Sequence, residues 1–390
     1  MVRNNIVDGD TDSNDKSDLP LDDFNIFFHE LRTRELRKAP PGAKTFLSGG
    51  CSGRWYFDWI NQNYHGIIRH IGVEAYQSKP DNLPSGVEWV TNTLGNMNKI
   101  KSGEIEMVFA GQTIEHLWAD DLVSFLCESH RVLKNDGIIV LDSPNRRVTY
   151  GTGWFQPQHT MELTVEEIIE LLTLAGFTDL NIRGVWLCYD RKNHCFLPLD
   201  PRSSVCGWDY KKRISMSSDN PEDCFSWWVE GKKSNISPDP IKLQLYLADI
   251  YEQGWKYRLS RLYHNVGTLT IKNGKKMINT NRKDTGAMIY GPYIPLRPGK
   301  YTVMYSVSSL ENAKETNDII CNMDVYAYEG SRIIASRVVR YDEIKPNIMN
   351  RIYLPFELAR TEFGIEFRMF STGNVGLSAL FQVELKENAD

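Results

Sequence analysis

The sequence predicts a doubly wound α/β domain with a mainly parallel sheet, followed by an all-β sandwich of jelly-roll type. Three observations carry this. Short apolar strands alternate with amphipathic helical segments from residue 24 to about 190, the order that lays parallel strands side by side with helices on both faces. The run Lys44-Thr-Phe-Leu-Ser-Gly-Gly-Cys-Ser-Gly-Arg-Trp-Tyr-Phe-Asp-Trp-Ile60 joins a strand to a helix through a glycine-rich turn, which lets backbone N–H groups and a helix N-terminus approach a ligand closely. Beyond Gly267 the helical period gives way to short alternating runs separated by Gly, Pro and Asn turns, the pattern of a sandwich.

At 390 residues the chain is long enough for two cores. Residues 1–23 are acidic and polar, without the layout of a secretory signal, and are expected to be a disordered leader. Residues 24–235 form the α/β domain, with about 200–235 expected as a substrate-side subdomain of loops around Trp208, Trp227 and Trp228. Residues 236–266 are expected to be a helical linker, and 267–390 the sandwich. Within the first domain the spacing predicts helices over Phe24–Ala39, Trp55–Asn63, Asp120–Leu133 and Val165–Ala175. Strands are expected over Thr45–Leu47, Ile68–Val73, Val87–Val90, Glu106–Ala110, Gly137–Asp142 and near Leu180–Leu187. Eight strands are expected beyond Gly267.

The net charge of −5 speaks against a dedicated nucleic-acid binder, so no nucleic-acid partner is expected. No apolar run approaches the ~20 residues that span a bilayer, and a cytoplasmic location is expected. Seven cysteines are scattered without a CxxC pair, and Cys188, Cys195, Cys206 and Cys224 with His194 match no common zinc spacing. They are read as reduced thiols, and no metal site is expected.

In doubly wound sheets the ligand lies beyond the carboxyl ends of the strands, and the chemistry-bearing residues fall there. The second strand ends His70-Ile-Gly-Val-Glu74, a carboxylate placed to hydrogen-bond a ribose diol. The third ends in Val90-Thr-Asn-Thr-Leu94, polar groups suited to an adenine edge. The fourth continues Phe109-Ala-Gly-Gln-Thr-Ile-Glu-His-Leu117, and a helix then leads through Arg131-Val-Leu-Lys-Asn-Asp-Gly137 to the fifth strand.

This succession resembles the class I S-adenosylmethionine-dependent methyltransferases, which have a seven-stranded Rossmann-like sheet. The resemblance covers about residues 27–190 and includes His159-Thr-Met-Glu-Leu-Thr-Val-Glu-Glu-Ile-Ile-Glu-Leu-Leu-Thr-Leu-Ala-Gly-Phe177. It implies S-adenosyl-L-methionine as cofactor. Gly49, Gly50 and Gly53 would line its methionine part, Glu74 would take the ribose hydroxyls, and Asn92 and Thr93 would face the adenine. Gly111 and Gln112 would lie beneath the sulfonium. The chain departs from the family at Ser48, where an acidic residue is usual, and at Ser52 and Arg54, where glycines are usual.

Methyl transfer is an in-line displacement that depends on positioning, and a hydroxyl acceptor also needs a base. His116 and His159, each just after a strand end, are the catalytic candidates, with Glu115 and Glu162 as residues that could orient them. Arg146 could hold an anionic group of the acceptor, and Trp154 and Trp228 could stack on sugar rings. The segment Asn220-Pro-Glu-Asp-Cys-Phe-Ser-Trp-Trp228 resembles bacterial methyltransferases of polysaccharide or O-antigen assembly. Gly291-Pro-Tyr-Ile-Pro-Leu-Arg-Pro-Gly-Lys-Tyr301 resembles carbohydrate-binding sandwiches. Together they imply an O-methyltransferase acting on a glycan or glycolipid intermediate, capping a terminal sugar or sugar phosphate. Peripheral association with a polysaccharide assembly complex and a homo-oligomer are compatible with it. The alternatives are a small-molecule or nucleotide-sugar methyltransferase, or a non-catalytic methyltransferase-like scaffold.

Overall fold

The computed structural model describes residues 19–313 and 318–388, so the leader expected at 1–23 lies almost wholly outside the described residues. The chain enters through α1 (Phe24–Lys38), whose first turn is capped by Asp23 Oδ1 accepting from the Asn25 and Ile26 amides at 2.8 and 3.3 Å. Pro40 disfavours helical geometry at Ala39, and the helix stops there. Alternation then builds β1 (Thr45–Gly49), α2 (Arg54–Asn63), β2 (Arg69–Glu74), β3 (Val87–Thr91), β4 (Ile105–Gly111), α3 (Ala119–Val132) and β5 (Leu133–Pro144). After α4 (Arg146–Thr152) and α5 (Val165–Leu174) come β6 (Phe177–Leu187), α6 (Tyr210–Ser217), β7 (Cys224–Lys233) and α7 (Pro240–Leu259). The Thr164–Glu167 capping box opens α5, and Asp239 with Pro240 opens α7.

The sheet has seven strands in the order β3-β2-β1-β4-β5-β7-β6. Strands β1 to β5 are mutually parallel, and β7 runs antiparallel to both β5 and β6. The order reverses between β1 and β4, and their carboxyl ends are where a doubly wound sheet opens a crevice. One face packs on α1 and α2 through Phe27, Phe28, Phe57 and Trp59, and the other on α3, α5 and α7 through Phe125, Leu171 and Leu247.

Strand β7 corrects the expectation of a substrate-side subdomain over about 200–235. Trp227 and Trp228 stand on adjacent positions of a strand, so their side chains point to opposite faces. Trp227 joins the core under α3, α5 and α7, and Trp228 the core under α1 and α2. Both are fully buried. A strand covered on both faces shows no polar alternation, which is why its signal was weak in the sequence.

Helix α7 is likewise more than a linker. Leu243, Leu247, Ile250 and Tyr251 complete the α/β core, and Trp255 packs against both this core and that of the C-terminal region. That region is a pair of antiparallel sheets, one six-stranded and one five-stranded, closed around Val303, Tyr305, Ile320, Val325, Phe367 and Met369. It holds more strands than the eight expected, among them the short Lys275–Asn279 and Pro292–Leu296, and its last stretch is divided into Leu377–Leu380 and Glu384–Glu387. Arg297 ties the sandwich to α3, donating to Asp120 Oδ1 and Oδ2 at 2.7 and 3.0 Å and to Asp121 Oδ2 at 2.5 Å. No helix among the described residues is long and apolar enough to cross a membrane.

Two histidines are kept neutral by their surroundings, His70 buried in the sheet and His29 half-buried on α1. Burial pushes His70 down to about 3, and burial beside Arg32 pushes His29 down to about 4. The unfolded chain therefore takes up more protons than the folded one below the ordinary histidine value of ~6.5, so stability is full above that value and falls with pH below it. The melting temperature is expected to drop between pH 6.5 and 5, where the two histidines outweigh the opposing protonation of the buried Glu115 carboxyl, raised to about 7. A His29→Gln/His70→Asn variant should show a flatter profile over that interval in a thermal-shift series; an unchanged slope would count against this origin.

Candidate active site

A cavity of about 340 Å³ opens where the carboxyl ends of β1, β2 and β4 meet. Gly50 lies in its wall with φ +68, a left-handed conformation that glycine adopts without cost. A Cβ there would also come within 2.7 Å of Thr113. Gly49 is packed behind the wall against Leu94 and Ala110, and Gly53 caps the start of α2; neither is among the residues that line the cavity. Ser48 does not reach the ligand space. It is fully buried, and its hydroxyl meets His70 Nε2 at 2.7 Å, so the position usually acidic in the resembling family serves here to hold β1 against β2.

Glu74, Asn92, Thr93, Gly111 and Gln112 all line the cavity, as the sequence placed them. Glu74 Oε1 accepts from the Tyr76 and Gln77 amides at 2.7 and 3.2 Å. These bonds fix the carboxylate while Oε2 has no bond among the described residues. Gln112 takes φ +54, unusual for a side-chain-bearing residue. Its amide donates to the Asp142 carbonyl at 2.8 Å and its Nε2 to Asp142 Oδ2 at 2.8 Å. Arg32, reaching across from α1, grips the same carboxylate through Nε at 2.6 Å and Nη2 at 3.0 Å. Gly111 is required beside this pair, since a Cβ would lie 2.4 Å from Asp142 Oδ1 and 2.5 Å from Arg32 Nη2.

The sequence reading missed Arg32, Trp55, Tyr56 and Tyr76, which also line the cavity. A signal for Arg32 existed: Phe28, Arg32 and Leu36 form an i, i+4 stripe, and a cation on an otherwise apolar stripe implies a buried partner. Tyr56 is buried with its hydroxyl unpartnered among the described residues. Trp55 and Tyr76 are exposed at the mouth, and Asp121, paired with Arg297 of the sandwich, completes the rim.

His116 lines the cavity and is open to solvent through it, yet desolvation by the surrounding protein holds its pKa below the ordinary value. Its Nδ1 lies 3.2 Å from the Gln158 carbonyl. His159 is not at the cavity wall. It is buried directly behind His116, ring centroids 4.7 Å apart and perpendicular, with Nδ1 2.8 Å from Glu162 Oε1. Glu115 is almost wholly buried between them and the sheet, and desolvation raises its carboxyl to about 7.

The three residues expected to bind the acceptor are not brought to the cavity. Trp228 is buried in β7 with Nε1 donating to Glu230 Oε1 at 3.0 Å, which corrects the stacking role assigned to it. Arg146 pairs with Glu167 and is not among the residues that line the cavity. Trp154, half-buried, packs edge-on to Phe225 and against His159. Of the cysteines weighed as metal ligands, Cys188 and Cys224 are buried, Cys195 half-buried and Cys206 exposed, all as free thiols.

A strand-end cavity walled by a glycine turn, with a carboxylate ending β2, lies where doubly wound sheets bind their ligands. Residues 47–141 match the family described as a methyltransferase domain. The chain is 36% identical over 170 residues to a probable S-adenosylmethionine-dependent methyltransferase of Mycobacterium tuberculosis, a match covering 43% of this chain and 61% of that one. It is 29% identical over 194 residues to another protein so described, from Mycolicibacterium smegmatis, covering 46% of this chain and 73% of that one. The chain thus spans somewhat under two thirds of the first relative's length. Among solved structures it is similar to an S-adenosylmethionine-dependent methyltransferase of Archaeoglobus fulgidus, at 19% identity and a TM-score of 0.36, over 54% of this chain and 95% of that one.

The residues present fit S-adenosylmethionine. Glu74 offers an acceptor to a ribose diol, glycine at 50 and 111 leaves room for close approach, and the orphaned Tyr56 hydroxyl supplies a polar contact deep in the wall. Removing one partner of a buried ion pair leaves the other charge uncompensated. Arg32→Gln is therefore expected to lower unfolding free energy by about 3–5 kcal/mol, read from denaturant titration; a loss under about 1 kcal/mol would show that Asp142 finds other support.

Proposed function

We propose that this chain is an S-adenosylmethionine-dependent O-methyltransferase whose acceptor is a hydroxyl of a glycan or glycolipid. The observation that carries the methyl-donor reading is the join of the Glu74 carboxylate and the Gly50 turn in one cavity, within the segment that matches a methyltransferase domain. The bound cofactor supplies a methyl carbon activated by a sulfonium. Glu74 holds the sugar of the cofactor, Asn92 and Thr93 border its base, and the Gln112–Asp142–Arg32 network keeps the floor rigid.

The acceptor side is read from His116 and from the rim. His116 carries its Nδ1 toward a carbonyl, so a neutral ring presents Nε2 as a proton acceptor for an attacking hydroxyl. Desolvation favours that neutral form. His159, backed by Glu162, positions the His116 ring from behind. Trp55 and Tyr76 present exposed rings at the mouth, and aromatic faces pack well on the C–H faces of sugars. Arg297 of the sandwich pairs with Asp121 of the cavity rim, which suits a domain that holds a larger acceptor near the site.

Calorimetry with S-adenosylmethionine and S-adenosylhomocysteine tests the first part. Binding is expected, and Glu74→Ala should weaken it by about tenfold or more, as loss of a charge-assisted hydrogen bond implies. No binding by either ligand at millimolar concentration would sink the reading. For the acceptor, transfer of labelled methyl groups to glycolipid extracts should exceed transfer to free nucleotide sugars, and Trp55→Ala should raise the acceptor KM with little change in cofactor affinity. Equal labelling of both pools would remove the glycan assignment.

A further inference from the structure

Glu115, His116 and His159 each offer one ligand atom, and the three atoms lie within 4.8 Å of one another beside the cavity. We propose that this trio is a divalent transition-metal site that holds the acceptor hydroxyl at the edge of the methyl-donor cavity. The inference rests on the methyltransferase reading above for its chemistry, though not for its geometry.

Four features set the trio apart from three residues that merely touch. Both carboxylate oxygens of Glu115 are buried and without a hydrogen-bond partner among the described residues. The hydroxyl of Ser143, near enough to influence Glu115, has no hydrogen-bond partner among the described residues either. A native interior rarely leaves a carboxylate in that state, and a cation would satisfy it. Secondly, each imidazole has its Nδ1 already engaged, His159 on Glu162 Oε1 at 2.8 Å and His116 on the Gln158 carbonyl at 3.2 Å. A ring held this way has its tautomer fixed with the Nε2 lone pair free, the usual outer arrangement of metal-ligating histidines.

Thirdly, the cluster is supported from several directions. Glu162 also accepts from Thr149, and the carbonyl of His159 accepts from Arg258 of α7. Ligand orientation is thus fixed by α4, α7 and the loop before α5 together. Fourthly, the donor set is two imidazoles and one carboxylate. That set suits a first-row ion such as Zn²⁺ or Mn²⁺ better than Mg²⁺ or Ca²⁺, which prefer oxygen alone, and it leaves coordination positions open for a substrate. Bonds of ~2.0–2.1 Å to such an ion require the three ligand atoms to draw somewhat closer than they stand.

His116 is the ligand that faces the cavity, while Glu115 and His159 lie behind it. An ion here would lie between the buried pair and the acceptor space. A hydroxyl held on it loses its proton to water more readily. Its oxygen forms the bond to the methyl carbon as the carbon–sulfur bond breaks, and the electron pair stays on sulfur to give the thioether. A histidine whose lone pair ligates an ion cannot also accept that proton, so polarisation by the ion takes over the base role of His116.

The test begins with the unsubstituted protein stripped by chelator and then exposed to Zn²⁺, Mn²⁺, Mg²⁺ or Co²⁺ separately. One equivalent of Zn²⁺ or Mn²⁺ per chain by elemental analysis is expected, with Mg²⁺ bound at least tenfold more weakly by calorimetry. Co²⁺ should give visible absorption bands of a nitrogen- and oxygen-ligated ion. Glu115→Gln and His159→Gln should each weaken Zn²⁺ binding tenfold or more. S-adenosylhomocysteine affinity of these two variants, whose side chains are not at the cavity wall, should stay within about twofold and so report an intact fold. Should either buried variant fail to fold, His116→Ala, on the open side, serves for the metal measurement. Substoichiometric Zn²⁺ and Mn²⁺ in the unsubstituted protein, or affinity indifferent to the substitutions, overturns the site. Failure of S-adenosylhomocysteine to bind the unsubstituted protein would count against the methyl-donor reading instead, and the metal stoichiometry would still decide this one.

Discussion

The buried carboxylate of Asp142 is the point on which the site is built. It stands near the carboxyl end of β5, accepts two hydrogen bonds from Arg32 of α1 and one from Gln112 after β4, and its own backbone carbonyl receives the Gln112 amide. A charge removed from water persists only when paired and hydrogen-bonded, so these three elements hold one another in a single arrangement. Gly111 has to lack a Cβ for the network to close, and Gln112 is held with φ +54 by both bonds to Asp142. The cavity floor is therefore set by a polar lock rather than by loop packing, and binding groups on rigid supports need little reordering when a ligand arrives.

Around that lock the two faces of the sheet do different work. The α1–α2 face supplies Arg32, Tyr56 and the glycine turn, and the α3–α5–α7 face carries the histidines and their supports. Strand β7 connects them by sending Trp227 to one face and Trp228 to the other. The hydroxyl of Tyr251 on α7 donates to the Leu117 carbonyl at 2.8 Å, just past His116. Trp118 stacks on Trp255, and Arg297 of the sandwich lies over Trp118 while pairing with Asp120 and Asp121. The C-terminal domain is thus joined to the segment that carries His116.

Much of the architecture was legible because its signals are local. Period-2 and period-3.6 patterns marked β1 to β6 and helices α1, α2, α3, α5 and α7, and the cap residues Asp23, Thr164 and Asp239 account for three helix starts. Glu74, Asn92, Thr93, Gly111 and Gln112 were legible for the same reason, since strand ends in a parallel sheet converge whatever the details. Strand β7 was not, because a strand buried on both faces shows no alternation. The acceptor residues were not either. Aromatic and basic side chains look alike in sequence whether they stand exposed at a cavity mouth, as Trp55 does, or fill a core, as Trp228 does.

What the sequence determined by itself is the order of strands and helices, the glycine turn and the polar residues at each strand end, since all of these follow from short-range periodicity and backbone preference. What only the tertiary structure decided is which distant residues meet. Arg32 finds Asp142 across most of the first domain, Ser48 turns inward to His70, and His159 comes to rest behind His116 near Glu115, whose carboxylate has no hydrogen-bond partner among the described residues. Such meetings depend on how helices pack over the sheet, and packing is a property of the whole chain, to which residue spacing is blind.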